Sequence, residues 1–294
     1  MKIRIGISLG SAAAPAGFAA AVDQLEAAGV DSLWLSEMVF GSLVEPFAGM
    51  AYALSRTTRL KVGTGVAVLP GRHPVLVAKE LASLAALAPR RVLPVFGLQP
   101  ARPAERALFP APPGRRGALF DESMKLLRLM LTQDRVSFTG EFFTVEAAGV
   151  GPRAVKPLDI WLGGSAPMAL RRIGKYGDGW LGSFRTPAET RRDREAIQAA
   201  ASEAGREIEP DHFGISLAVG TEGIPPELAR AIVDRRPDLK PADLAAASWP
   251  AARALIEAYI EAGLTKFVVR PAGTVNSFAR FLDEFCAEML PLQN

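Results

Sequence analysis

Eight short runs of β-branched and apolar residues, separated by stretches that carry amphipathic helices, recur along the 294 residues, and this rhythm most limits the folds open to the chain. Strands are expected at residues 3–9, 32–38, 60–68, 92–96, 160–162, 179–181, 213–219 and 266–270. Consecutive strands separated by helices pair in parallel, and eight of them suit a closed (β/α)8 TIM barrel better than an open doubly wound sheet. A single α/β domain spanning residues 1–294 is therefore expected, with 49% hydrophobic residues to fill its core.

Local punctuation supports this reading. Ala28-Gly29-Val30 before SLWLS and Ala262-Gly263-Leu264 before KFVVR are the same junction used twice, a helix ended by a left-handed glycine and followed at once by a strand. Three stretches break the rhythm and are expected as insertions at the C-terminal rim. Residues 97–116 carry five prolines and suit a lid, residues 135–145 suit a hairpin turning at Thr139-Gly140, and residues 221–249 are short helical pieces divided by prolines.

Composition narrows the class. Thirty-four basic residues against 31 acidic ones, with no basic run interleaved with aromatics, argue against a nucleic-acid partner. No apolar span is long enough for a membrane helix, and the lone Cys286 among Phe281, Leu282 and Phe285 packs as a small hydrophobe, so a cytoplasmic protein is expected. One cysteine and two histidines leave little from which to build a metal site, and none is expected.

Three places at strand ends carry candidate chemistry. Gly63 and Gly65 interrupt the third strand where a side chain would obstruct an approaching ring, although glycine also relieves crowding inside a barrel. Gly163, Gly164 and Ser165 stand between the strand IWL and a helix opened by Pro167, where backbone N–H groups and the helix dipole converge on an anion; the same pair of glycines also makes a tight turn. Glu37, at the end of the second strand, is the best-placed carboxylate for proton transfer, and carboxylates there also serve as helix caps or salt-bridge partners.

Taken together, VDSLWLSE (30–37), TTRLKVGTGVAVLPGRHPVLVAKELASL (57–84), RGALFDESMKLLRLML (116–131), DRVSFTGEFFTV (134–145) and PLDIWLGGSAPMALRRIGKYGDGWLGSF (157–184) resemble the bacterial luciferase-like family of flavin- and deazaflavin-dependent oxidoreductases. The last block is similar to the branch that uses the deazaflavin coenzyme F-420. The resemblance implies a homodimeric barrel with the ring at its mouth. Gly65 and Val66 match the non-proline cis peptide behind the ring, Gly163, Gly164 and Ser165 match the phosphate cradle, and Gly97 belongs to the cofactor-facing loop. Two departures stand out. The histidine that often follows the acid is replaced by Met38, and the glycine-rich loop after the fourth strand reads Gly97-Leu98-Gln99-Pro100.

The function expected from this resemblance is hydride transfer between F-420 and a small organic substrate, with Glu37 handling the proton. One alternative is an FMN-dependent monooxygenase fed by a partner reductase. Another is a non-catalytic flavin-binding barrel, suggested by the same two departures.

Overall fold

In the computed structural model, which describes residues 2–154 and 156–294, the expected alternation is present throughout. β1 (Arg4–Ser8) leads through α1 (Pro15–Ala28) to β2 (Ser32–Leu35), and α2 (Pro46–Arg56) leads to a third barrel strand in two pieces, β3 (Lys61–Thr64) and β4 (Ala67–Val68). After α3 (Pro74–Leu87) the fourth strand is divided as well, into β5 (Val92–Leu93) and β6 (Val95–Gly97), around Pro94, which has no N–H to offer the ladder. α4 (Arg116–Thr132) and a hairpin of β7 (Val136–Thr139) and β8 (Thr144–Ala148) precede β9 (Trp161–Gly163). The remaining units are α5 (Pro167–Tyr176), β10 (Gly179–Gly182), α6 (Pro187–Glu203), β11 (Phe213–Val219), α7 (Pro226–Arg235), β12 (Ala245–Ala246), α8 (Trp249–Glu261), β13 (Lys266–Pro271) and α9 (Phe278–Met289).

Parallel pairings run β6–β9–β10–β11–β13–β1–β2–β3, and β5 pairs with β3 as β6 pairs with β4. Since β3 and β4 are two parts of one strand, and β5 and β6 of another, the ring closes on itself. The eight-stranded barrel expected from the alternation is the architecture observed.

Strand residues sort onto two faces with period two. Phe213, Ile215, Leu217 and Val219 of β11, with Phe267 and Val269 of β13, join the helices in the outer core. Trp34, Val95, Leu181 and Val268 form a separate cluster inside the barrel, with Val66, Leu93 and Trp161 packed against it. The indole of Trp34 fills space that other side chains leave empty. A Cβ on Gly6 would stand 2.6 Å from its Nε1, and one on Gly63 would stand 3.1 Å from its Cζ3.

The two matching junctions close as expected. Gly29 has φ 72° and Gly263 has φ 96°, and the following residue donates to the helix in both: Val30 N to Leu25 O and Leu264 N to Tyr259 O. The hairpin is present and extends to Ala148, but it is rooted in the connection from α4 to β9, at the N-terminal end of the barrel and not at the C-terminal rim, because a helix returns the chain to that end before the next strand. Glu122 of α4 holds its turn by accepting from the backbone N of Glu141, Phe142 and Phe143, each at 2.8 Å. The stretch after Gly97 is packed rather than loose, with Glu105 and Phe109 buried. α9 is the main element that the strand-helix rhythm does not announce. Its Phe281, Leu282, Phe285 and Met289 are buried, with Cys286 partly buried beside them. No helix among the described residues is long and apolar enough to cross a membrane.

Candidate active site

The C-terminal ends of β6 and β9 meet at one side chain of the β3–β4 junction, Val66. The peptide bond between Gly65 and Val66 is cis, and the chain around it is tied to the end of β2 by Gly65 N to Leu35 O (2.7 Å) and the Ser36 hydroxyl to Gly65 O (3.1 Å). Val66 projects between two glycines on neighbouring strands. A Cβ on Gly97 would lie 2.7 Å from Val66 Cγ2, and one on Gly163 would lie 3.1 Å from Val66 Cγ1. Any larger residue at 97 would displace the valine, because real Cβ contacts do not approach so closely. Gly65, Val66, Gly97 and Gly163, taken from three separate stretches of sequence, thus form one continuous patch.

Gly164 continues that patch toward α5. Its φ of 115° is open to glycine and strained for other residues, and its carbonyl accepts from Trp180 Nε1 at 2.8 Å. The turn is therefore fixed from the outer core, where Trp180 is fully buried. Beyond Ser165, α5 begins at Pro167 with no side chain capping its first turn. Pro167 has no N–H and Ala169 N donates to Ala166 O (2.7 Å), so an anion arriving there meets the N–H of Met168 and the positive end of the helix dipole.

Glu37 lies beside Val66 and is buried, with both carboxylate oxygens occupied. Oε2 accepts from Val68 N at 2.7 Å and from Arg72 Nη1 at 3.1 Å, and Oε1 accepts from Arg72 Nη2. Arg72 in turn donates to Val68 O at 2.6 Å and lies over the rings of Phe109 and Phe47, at 5.2 and 5.7 Å. The carboxylate thus holds the strand just after Val66, at Val68, while Leu35 and Ser36 hold it just before, at Gly65. Arg72 sits 35 residues from Glu37, beyond the bend at Gly71 (φ 94°), so the pairing leaves no local sequence signal.

Two further polar groups at this end are not singled out by sequence. Glu105, in the segment after Gly97, accepts from Phe40 N through Oε1 at 2.9 Å, and its buried Oε2 has no partner among the described residues. Arg270 ends the inward-facing series Lys266, Val268, Arg270 on β13, and that alternation is the signal by which it is recognisable.

A network at the α6 side stiffens the rim. Burial pushes the Glu189 carboxyl up, but hydrogen bonds from Arg236 and Thr186 N and the charges of Arg185 and Arg236 outweigh it, leaving the group below its ordinary value. A cavity of about 690 Å³ lies at the C-terminal end between the segments after β11 and β13, lined by Thr221, Glu222, Pro225, Thr274, Asn276 and Arg280. A second of about 690 Å³ opens on the opposite face, among Arg4, Lys61, Trp161 and Lys266. It lies at the end of the barrel away from Val66. In this fold the ligand-bearing end is the C-terminal one.

Comparison with known proteins identifies the family and the fold. The family model described as luciferase-like monooxygenase matches residues 1–262. An uncharacterized protein of Mycobacterium tuberculosis is 36% identical over 163 residues, 55% of this chain; the match spans 56% of that relative's length. The F-420-dependent glucose-6-phosphate dehydrogenase of Kineococcus radiotolerans is 26% identical over 95% of this chain and 93% of its own. Among solved structures, an F-420-dependent secondary alcohol dehydrogenase in complex with an F-420–acetone adduct superposes over 100% of both chains with a TM-score of 0.84, at 19% identity.

Proposed function

The chain belongs to the luciferase-like monooxygenase family, and from that premise we propose that it is a coenzyme F-420-dependent oxidoreductase that moves hydride to or from a small organic substrate. It is an enzyme of the oxidoreductase and monooxygenase type. The observation that carries the cofactor reading is the convergence of Gly65-Val66, Gly97 and Gly163 on one bare patch beside an uncapped helix start. A flat ring needs a wall without protruding side chains, and a phosphate tail needs free N–H donors; both lie side by side here. The named activities of the F-420-dependent relatives support the same choice.

When bound, the deazaflavin supplies a carbon that gives or takes hydride, chemistry that no side chain offers. The chain's part is positional. Val66 backs the ring, Gly97 and Gly163 leave Val66 the space it fills, and Gly164, Ser165 and the first turn of α5 hold the phosphate. Holding the reacting carbons about 3–3.5 Å apart converts a bimolecular step into an internal one. Glu37, through Arg72 and Val68 N, holds Val66 in place; for it also to move a proton, Arg72 would have to release one oxygen. The homodimer and the reductase partner of the alternative FMN reading remain part of this proposal.

Anaerobic titration separates the two cofactors. Saturable binding of F-420, followed by its own fluorescence, is the expected result. Binding of FMN with none of F-420 would replace the deazaflavin assignment by the flavin one.

A further inference from the structure

β13 carries two inward-facing cations at opposite ends of the barrel, and they are treated differently. Lys266, at the N-terminal end, is paired with Asp211 at 3.1 Å. Arg270, at the C-terminal mouth, has no carboxylate, no carbonyl and no aromatic ring paired with it among the described residues. Its register partner on β11 is Ala218, which offers nothing polar, and on the other side Ile7 of β1 pairs with Val269, which leaves Ser8 as the next inward position. Most other partly buried arginines have acceptors: Arg72 has Glu37, Arg128 and Arg206 have Asp178, and Arg185 and Arg236 have Glu189. Arg194 has no such acceptor among the described residues, but it lies over the ring of Phe213 at 5.2 Å, a contact that Arg270 lacks.

The Arg270 side chain is partly buried, its guanidinium nitrogens still reach solvent, and burial alone pushes its pKa below the ordinary value. Its five N–H donors form a planar fork that fits a carboxylate with two parallel bonds. Two ligands could bring an oxoanion to the mouth, the cofactor's tail and the substrate. The tail's cradle is on β9, three strand spacings from β13 along the β9–β10–β11–β13 wall, about 14 Å at roughly 4.8 Å per strand.

We propose that Arg270 is the specificity residue of the barrel mouth and that the substrate is a small organic acid whose carboxylate the guanidinium holds. That the acid is the substrate rests on the ring lying against Val66; that Arg270 binds an oxoanion does not.

The test uses the full chain, with and without F-420, and paired probes: lactate and lactamide, benzoate and benzamide, and acetate and acetamide, titrated calorimetrically. The wild type is expected to bind at least one acid about tenfold or more tightly than its amide, since charge-assisted bidentate bonds are worth at least that. Arg270→Gln is expected to abolish the preference, Arg270→Lys to keep part of it, and F-420 affinity to stay within about twofold in both.

Because the wild-type charge has no partner among the described residues, Arg270→Met is expected to leave Tm unchanged or raise it, whereas removing a structural arginine lowers it. A wild type with no acid preference, an Arg270→Gln variant that keeps it, or a lowered Tm in Arg270→Met overturns the proposal. So does an Arg270→Gln variant that weakens F-420 tenfold but leaves its phosphate-free core unaffected, since the oxoanion is then the cofactor's. A protein that refuses F-420 and FMN yet shows the acid preference and its loss in Arg270→Gln refutes the ring reading and supports the guanidinium assignment.

Discussion

Replacing Gly97 by alanine tests the geometry of the patch most sharply, because a single methyl is aimed at a single side chain. The new Cβ would stand 2.7 Å from Val66 Cγ2, 3.7 Å from Val66 Cβ and 3.9 Å from Ala67 O, so the whole conflict is with the one methyl. Ordinary carbon contacts are about 3.5–4.0 Å, so Val66 must retreat by about 1 Å. Overpacking of this size costs about 1–3 kcal/mol, read as a lower midpoint in urea unfolding at unchanged slope. A ring wall displaced by that much is expected to weaken F-420 binding about tenfold or more. Trimming Val66 to alanine in the same chain removes the methyl that Gly97→Ala meets, so the double variant should regain most of the stability but not the affinity. If Gly97→Ala is as stable as the wild type and binds F-420 equally well, or if the double variant is no more stable than Gly97→Ala alone, Val66 does not sit between the two glycines as described.

Other perturbations give distinct signatures. Glu37→Gln breaks the pair with Arg72 and leaves that guanidinium without a carboxylate, a loss of about 2–4 kcal/mol by denaturation. If Glu37 only positions Val66, F-420 affinity falls and the shape of the kcat–pH profile is kept, whereas a lost limb in that profile would assign it the proton. Trp34→Ala empties the middle of the barrel over Gly6 and Gly63 and should cost about 3–5 kcal/mol.

Glu26, which takes up the backbone N of Thr58, Arg59 and Leu60, has its pKa lowered from 4.5 to about 2. Burial opposes the shift, and the hydrogen bonds from Leu60 and Thr58 outweigh it. Its contribution is complete above pH 4.5 and disappears as pH falls through 2. Glu26→Gln should therefore lower Tm at pH 6 and have a shallower Tm decline between pH 4.5 and 2.

Much of the fold was legible because the alternation of strand and helix is written in apolar spacing and the helix ends in glycine. Gly29 and Gly263 needed no tertiary information, since their left-handed backbone is a local requirement. The grouping of Gly65, Gly97 and Gly163 was expected only through a family resemblance, because glycines say that something approaches without saying what. Here the neighbour is Val66. The departure in the loop after β6 leaves Gly97, the glycine that Val66 requires, in place.

What remained hidden depends on contacts across long sequence separations. Glu37 is described equally well by proton transfer and by a salt bridge until Arg72 is seen against it. Glu105 lies in a proline-rich stretch with no period to read, and its burial comes from packing against the segment after β2. Arg270 stood in plain view, since a charge at the inward register of a barrel strand is visible from KFVVRP alone. What sequence could not show is that no carboxylate among the described residues comes to meet it.

The account rests on a flat cofactor lying against Val66 with its phosphate at the start of α5. Fluorescence titration of F-420 into the wild type and the Gly97→Ala variant, side by side under anaerobic conditions, tests this most directly. Saturable binding that weakens about tenfold or more in the variant is the predicted result. No binding to the wild type, or equal binding to both proteins, would contradict it.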